Sequence, residues 1–205
     1  MPTPPQNIMG IILAGGKSSR MQFRDKSLMP LAGKPVIEHI IANARTQVGG
    51  LLINVNRHPE HYASYGLPIV ADTCGQDAGP LAGILAGMEY CHHQGSCQVL
   101  ACFPGDVPRF PGNIVTQLEE LRSQEATQVC YASTNGQWQP LFSVWSVALL
   151  PVLRQALANR VFSPMMLIQS LPHSVLVLDN PAPGHFDNLN TPDDLARAEA
   201  LQNLL

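Results

Sequence analysis

The chain has 205 residues, 45% apolar and 13% charged, a composition that suits one folded α/β domain and excludes a disordered, highly charged chain. Its net charge of −3 and sequence pI of about 6.1 argue against a nucleic-acid partner held by bulk electrostatics. No apolar run reaches the ~18 residues a membrane helix needs. The opening MPTPPQN has neither a positive n-region nor a cleavage pattern, so a cytoplasmic protein with no membrane association is expected. Cys74, Cys91, Cys97, Cys102 and Cys130 are irregularly spaced and odd in number, which predicts reduced thiols.

Ile8 to Leu13 is an apolar run of buried-strand length. It stops at Ala14-Gly15-Gly16, where the backbone can turn sharply, and Lys17, Arg20, Arg24 and Lys26 follow within a few residues. A strand feeding a glycine turn rich in cations and backbone N–H groups is a place to hold phosphates. Neither common phosphate motif fits. A P-loop ending in Gly16-Lys17-Ser18 would need its first glycine at Ile11, and no third glycine completes a GxGxxG.

Beyond Lys26, Leu28 to Pro35 reads as a connection, and Val36, Ile37, Ile40, Ile41, Ala44 and Val48 recur at helical spacing behind Pro35. Gly49-Gly50 ends that helix, and Leu51 to Asn56 reads as a second buried strand. A polar segment with His58, Glu60, His61 and Tyr62 precedes a third strand over Leu67–Ala71, ended by Asp72. Gly79-Pro80-Leu81 opens a helix in which Gly79, Gly83 and Gly87 form a bare stripe, read as close packing of helix on sheet. Val99 to Phe103 is a fourth strand, with Pro104-Gly105-Asp106-Val107-Pro108 at its end.

A helix over about Asn113–Arg122 and a strand at Val129–Ala132 come next, then a strand over Pro140–Trp145 of antiparallel type. Helical segments near Val147–Ala158 and Pro164–Leu171 precede a strand at Val175–Leu178. Thr191 as N-cap, Pro192 at the first helical position and Asp193-Asp194 in the first turn define the last helix. Strands alternating with helices predict a three-layer α/β/α sandwich with a mostly parallel sheet, built as one domain over residues 1–205.

In open α/β sheets, ligands sit at the carboxyl ends of the strands. The first four predicted strands end at Ala14-Gly15-Gly16, at Asn54 and Asn56, at Asp72 and at Asp106. Each alone is an ordinary strand-end residue; together they point to one site. Cys91-His92-His93 with Cys97 lacks metal-ligand spacing and reads as a polar helix end. Trp138 and Trp145 are read as core or rim residues rather than stacking platforms, and His58 and His61 as surface or supporting residues.

The segment Leu13-Ala14-Gly15-Gly16-Lys17-Ser18-Ser19-Arg20-Met21-Gln22-Phe23-Arg24-Asp25-Lys26 resembles the LAGGxSxRMGxDK signature of the molybdenum cofactor guanylyltransferases. Gln22 stands where the family has glycine. Asn54-Val55-Asn56-Arg57 resembles the family's NxNR, Gly79-Pro80-Leu81-Ala82-Gly83 its GPLAG, and Pro104 to Pro108 its P-x-D-x-P loop. Asn188-Leu189-Asn190-Thr191-Pro192 is similar to its terminal NxNTP, and the order agrees throughout. Residues 124–187 match weakly.

The resemblance implies a Rossmann-like fold of the nucleotide-diphospho-sugar transferase type, and transfer of GMP from GTP to the terminal phosphate of molybdopterin with release of pyrophosphate. It implies that Leu13, Ala14, Gly15, Gly16, Lys26, Asn54, Asp72 and Asp106 bind the nucleotide, and that Asp106 holds Mg²⁺. Arg20, Lys26 and Asp106 are the expected catalytic residues, with Asn188 and Asn190 as further substrate or phosphate contacts. The pterin is expected within 124–187. Expected protein partners are molybdopterin-insertion proteins and molybdoenzyme chaperones, for a monomer or weak homo-oligomer. The alternatives are a CTP-dependent molybdopterin cytidylyltransferase, a sugar- or polyol-phosphate nucleotidyltransferase, and a non-catalytic nucleotide-binding regulator of cofactor delivery.

Overall fold

The computed structural model describes residues 5–15, 25–74, 79–95 and 97–202. Strand β1 (Ile8–Leu13) lies in the middle of the sheet, and its residues alternate between two buried clusters: Ile8 and Ile12 in one, Ile11 in the other. An unbroken apolar run is what a strand covered on both faces requires. A short ribbon of β2 (Pro30–Leu31) and β3 (Lys34–Pro35) leads into α1 (Val36–Ala44), whose Val36, Ile37, Ile40, Ile41 and Ala44 are all buried. Strands β4 (Gly50–Asn54) and β5 (Ile69–Val70) flank a 3₁₀ helix over Pro59–Tyr65.

Helix α2 (Gly79–Gln94) is followed by β6 (Val99–Pro104), α3 (Ile114–Gln124), β7 (Val129–Thr134) and β8 (Gln137–Ser146). The chain then forms α4 (Leu150–Ala158), α5 (Pro164–Ile168), β9 (His173–Leu178) and α6 (Pro192–Gln202). The main sheet has seven strands in the order β5-β4-β1-β6-β8-β7-β9. Strand β8 is antiparallel to both neighbours and every other pairing is parallel. Residues of α1, α3 and α6 pack with one core, those of α2, α4 and α5 with the other, giving the three expected layers. None of the described helices is long and apolar enough to cross a membrane.

Several element boundaries differ from the sequence expectation. The third strand shrinks from Leu67–Ala71 to Ile69–Val70, because Pro68 has no N–H to donate to a ladder. The antiparallel strand grows from Pro140–Trp145 to Gln137–Ser146, joined to β7 by Asn135-Gly136, both at positive φ. This two-residue Asn-Gly turn suits the twist of a hairpin. The helical segment expected at Val147–Ala158 divides into a 3₁₀ turn, Val147–Leu149, and α4. At α6 the cap forms as expected: Asp194 N donates to Thr191 Oγ1 at 3.2 Å, and Thr191 N donates back to Asp194 Oδ2 at 2.8 Å.

Below the carboxyl edge, four phenylalanines tie the loop after β6 to the segment before α6. Ring centroids are 5.3 Å apart for Phe103–Phe110, 5.2 Å for Phe110–Phe142 and 5.0 Å for Phe142–Phe186, and all four side chains are buried. Phe186 N also donates to Arg109 O at 3.0 Å. Truncating the central ring leaves a cavity that its neighbours cannot fill, so Phe142→Ala is expected to cost about 3–5 kcal/mol in urea unfolding. A loss below ~1 kcal/mol would contradict this packing.

Candidate functional site

Two groups of side chains gather at the carboxyl ends of β1, β4, β5 and β6. The first is built on Asp72, just beyond β5. Asn54 Nδ2 donates to Asp72 Oδ1 at 2.9 Å, Asn56 Nδ2 donates to Asp72 Oδ2 at 2.7 Å, and Asp72 N donates to Asn56 Oδ1 at 2.8 Å. Asn54 is buried and Asp72 half-buried, so the carboxylate is fixed by two amides while keeping access to solvent. Leu13, Ala14 and Gly15 run alongside, with Ala14 N donating to Asn54 O at 2.9 Å. Gly15 is exposed, and a Cβ on it would come within 3.0 Å of Asn56 Nδ2.

The second group is built on Asp106 and Lys26. Gly105 N donates to Leu13 O at 3.0 Å, which lays the Asp106 loop against the end of β1. Leu189 N donates to Asp106 O at 2.9 Å and brings the segment before α6 to the same place. There Lys26 Nζ donates to Asn190 Oδ1 at 2.6 Å. Burial pushes the Asp106 carboxyl above its ordinary value, and the Lys26 charge pulls part of the way back. A half-buried carboxylate beside an ammonium, which carries three N–H donors, is suited to a charged, oxygen-rich ligand.

Lys26 is placed by a contact that the sequence did not announce. It opens a 3₁₀ turn, Lys26–Leu28, capped by Asp25, whose Oδ1 accepts from Ser27 N at 3.2 Å and from Ser27 Oγ at 2.8 Å. Fully buried Tyr62, from the 3₁₀ helix Pro59–Tyr65, donates its hydroxyl to Asp25 Oδ2 and lies 2.6 Å from Ser27 Oγ. Burial, then the adjacent Asp25 carboxylate, push the phenol well above its ordinary range, so it remains a donor at all working pH values. No motif contains Tyr62; its apolar body and polar tip within a polar segment were the one available signal.

Of the expected site residues, Leu13, Ala14, Gly15, Asn54 and Asp72 fall in the first group, and Lys26, Asp106 and Asn190 in the second. Asn188 is exposed two residues before Asn190. Gly16 and Arg20 lie outside the described residues, as does Gln22. Trp145 is fully buried with Nε1 donating to Ser143 Oγ at 2.8 Å, whereas Trp138 is 57% exposed beside the β7–β8 turn. None of the five cysteines is joined in a disulfide.

Two places offer donors to a divalent cation. Asp106 is one; the other, among the described residues, is the exposed trio His58, Glu60 and His61, whose ligand atoms lie within 4.8 Å of one another. His58, the N-cap of the Pro59–Tyr65 helix, stacks on His61 at 5.2 Å where His61 N donates to His58 O at 3.0 Å. Cys91, His92, His93 and Cys97 form no such group. A polar cavity of about 470 Å³ lined by Asn7, Gln98, Arg122 and Ser146 opens at the amino edge of the sheet, away from both groups.

A mostly parallel sheet with loops converging at its carboxyl edge is the frame of a nucleotide-binding α/β protein. The model of the MobA-like NTP transferase domain matches residues 10–174, and the chain belongs to that family. It is 35% identical over 202 residues to a molybdenum cofactor guanylyltransferase of Mesorhizobium japonicum, covering 96% of each chain. It is 36% identical over 188 residues to one of Yersinia pseudotuberculosis, covering 92% of this chain and 93% of that one. Among solved structures, the molybdopterin-guanine dinucleotide biosynthesis protein A of Archaeoglobus fulgidus superposes with a TM-score of 0.77 at 18% identity, over 96% of this chain and all of that one. A CMP:2-keto-3-deoxy-manno-octonic acid synthetase complexed with CTP superposes at 0.73 with 14% identity, over 96% and 98%. These two likenesses establish the Rossmann-like α/β fold.

Replacing Tyr62 by phenylalanine keeps the ring and removes the donor to Asp25. Tyr62→Phe is expected to lose about 1.5–3 kcal/mol in denaturant unfolding, the usual worth of a hydrogen bond to a charged group. Unchanged stability would show that the Tyr62–Asp25 bond does not hold this turn.

Proposed function

We propose that this protein is a molybdenum cofactor guanylyltransferase: it transfers GMP from GTP to the terminal phosphate of molybdopterin and releases pyrophosphate. The observation that carries this reading is the convergence of Lys26, Asp106 and Asn190 at the carboxyl edge, in a chain 35% identical along nearly its whole length to a protein of that name. The site is carried by one domain over residues 1–205, working in the cytoplasm as a monomer or weak homo-oligomer. Molybdopterin-insertion proteins and molybdoenzyme chaperones are its proposed protein partners, alongside the substrates GTP and molybdopterin.

The base and ribose lie along Leu13, Ala14, Gly15, Asn54 and Asp72, where backbone groups and a fixed carboxylate can accept from N–H and O–H donors. Gly16 and Arg20 belong to the same phosphate loop in this reading. An oxygen of the acceptor's terminal phosphate attacks the α-phosphorus of GTP, and the bond from that phosphorus to the bridging oxygen of the β-phosphate breaks. The attacking phosphate is already ionised near neutral pH, so the step rests on alignment and charge neutralisation rather than on a general base. Lys26 offsets charge on the departing pyrophosphate, and Asn190 orients Lys26.

Asp106 fits a divalent cation. Burial makes its lone charge costly, and a hard cation taking one carboxylate together with phosphate oxygens relieves that cost. Mg²⁺ there would neutralise charge on the phosphates.

The direct test is pyrophosphate release from GTP, CTP, ATP and UTP with Mg²⁺, each with and without molybdopterin. Release from GTP alone, dependent on the acceptor, is expected. Preference for CTP would make the protein a cytidylyltransferase, and no release with any nucleotide would favour a binding protein of cofactor delivery.

The Asp106 environment also separates activity from stability. Its carboxyl is raised in the fold, so the ionised form destabilises the metal-free protein above that raised value, and protonation on acidification relieves the penalty. Asp106→Asn is therefore expected to abolish turnover while raising the melting temperature of the metal-free protein at pH 7. Full activity in this variant would overturn the assignment of the metal to Asp106.

A further inference from the structure

Gly83 lies in α2, facing the end of β1 and Asn54. A Cβ built on it would overlap Asn54 Oδ1 and come within 2.8 Å of Leu13 Cδ2 and 2.9 Å of Asn54 Cγ. Asn54 is firmly held. Its side chain is buried, and its Nδ2 is engaged with Asp72 Oδ1 at 2.9 Å and Val70 O at 3.3 Å. Its Oδ1 occupies the space that the missing side chain of residue 83 leaves open.

Gly87, one turn further along the same helix, is also tight, but against a different neighbourhood. A Cβ there would meet Ile11 Cδ1 at 2.8 Å and Leu100 Cδ2 at 3.0 Å, both in the apolar core. Two glycines that a sequence reading places in one packing stripe thus meet different partners. Gly87 admits the sheet's apolar side chains. Gly83 admits a polar side chain that reaches the site carboxylate.

We propose that Gly83 is a positioning residue: by leaving room for the Asn54 amide, it sets the Asp72 carboxylate in the geometry that receives the nucleotide. This deepens the guanylyltransferase reading and rests on it. Any side chain at residue 83 turns Asn54 away, breaks its bond to Asp72 and leaves a buried amide short of partners. Asp72 then keeps only its bonds to Asn56, and its carboxylate becomes free to turn.

The test compares Gly83→Ala with Gly87→Ala. Both add one methyl group to the same helix against the same sheet, so both are expected to lower the melting temperature. Only Gly83→Ala is expected to raise KM for GTP, by roughly tenfold, the usual effect of losing an aligned hydrogen-bond network. Its kcat should stay within about twofold, because the change removes nucleotide binding rather than transition-state contacts. In an Asn54→Ala background, adding Gly83→Ala should raise KM no further, since its effect runs through Asn54.

An unchanged KM in Gly83→Ala, or an equal rise in Gly87→Ala, would overturn the proposal. A second readout does not depend on turnover. The Asn54 side-chain amide resonances should shift and lose exchange protection in Gly83→Ala but not in Gly87→Ala, and retained protection in Gly83→Ala would also overturn the proposal. If the wild type releases no pyrophosphate from GTP, the function fails, while the amide spectra still decide whether Gly83 places Asn54.

Discussion

The bond from Gly105 N to Leu13 O, 3.0 Å long, is the contact on which the site depends. It extends the parallel pairing of β1 and β6 by one step beyond the strands, and draws the two loops together. A Cβ at residue 105 would lie 2.7 Å from Leu13 O and 2.8 Å from Ala14 Cα, which are backbone atoms that cannot swing aside. Only glycine permits this approach. Asp106 follows immediately and is thereby held beside the end of β1, while Leu189 N donates to the Asp106 carbonyl and carries Asn190 to Lys26. Three connections distant in sequence meet where one residue has no side chain.

The polar groups around this point carry opposite energetic signs. Asp72 is satisfied on both carboxylate oxygens and on its own N–H, so its position costs the fold little. Asp106 is half-buried beside the Lys26 cation with its carboxyl raised above the ordinary value, a cost that the proposed divalent cation would relieve. Tyr62 and Asp25 stand between these cases: their bond is part-buried, and it anchors the turn that presents Lys26. The protein spends stability at one carboxylate and recovers it through the supports around the others.

Much of this was legible in the residues. The Ile8–Leu13 run, the buried face of α1 and the Thr191-Pro192 cap follow from local rules that tertiary packing does not override. The strand-end residues Asn54, Asp72 and Asp106 could be placed at one edge because parallel α/β sheets bring those ends together. Tyr62 could not be placed, since its partner Asp25 is 37 residues away and the bond exists only through the tertiary fold. The role of Gly83 was hidden differently: a glycine stripe announces close approach but does not say to what. The Asn135-Gly136 turn was readable from a short-range hairpin rule, and it accounts for a strand longer at its start than apolar patterning alone suggests.

The central claim is that the nucleotide lies along the carboxyl edge with its phosphates at Lys26 and its divalent cation at Asp106. The most direct measurement is a crystal structure with GTP and Mn²⁺, in which anomalous scattering locates the metal. The account predicts manganese bound to an Asp106 carboxylate oxygen, with the guanine beside Asn54 and Asp72. Manganese found at His58, Glu60 and His61 but not at Asp106, or a nucleotide seated away from the ends of β1 and β4, would contradict it.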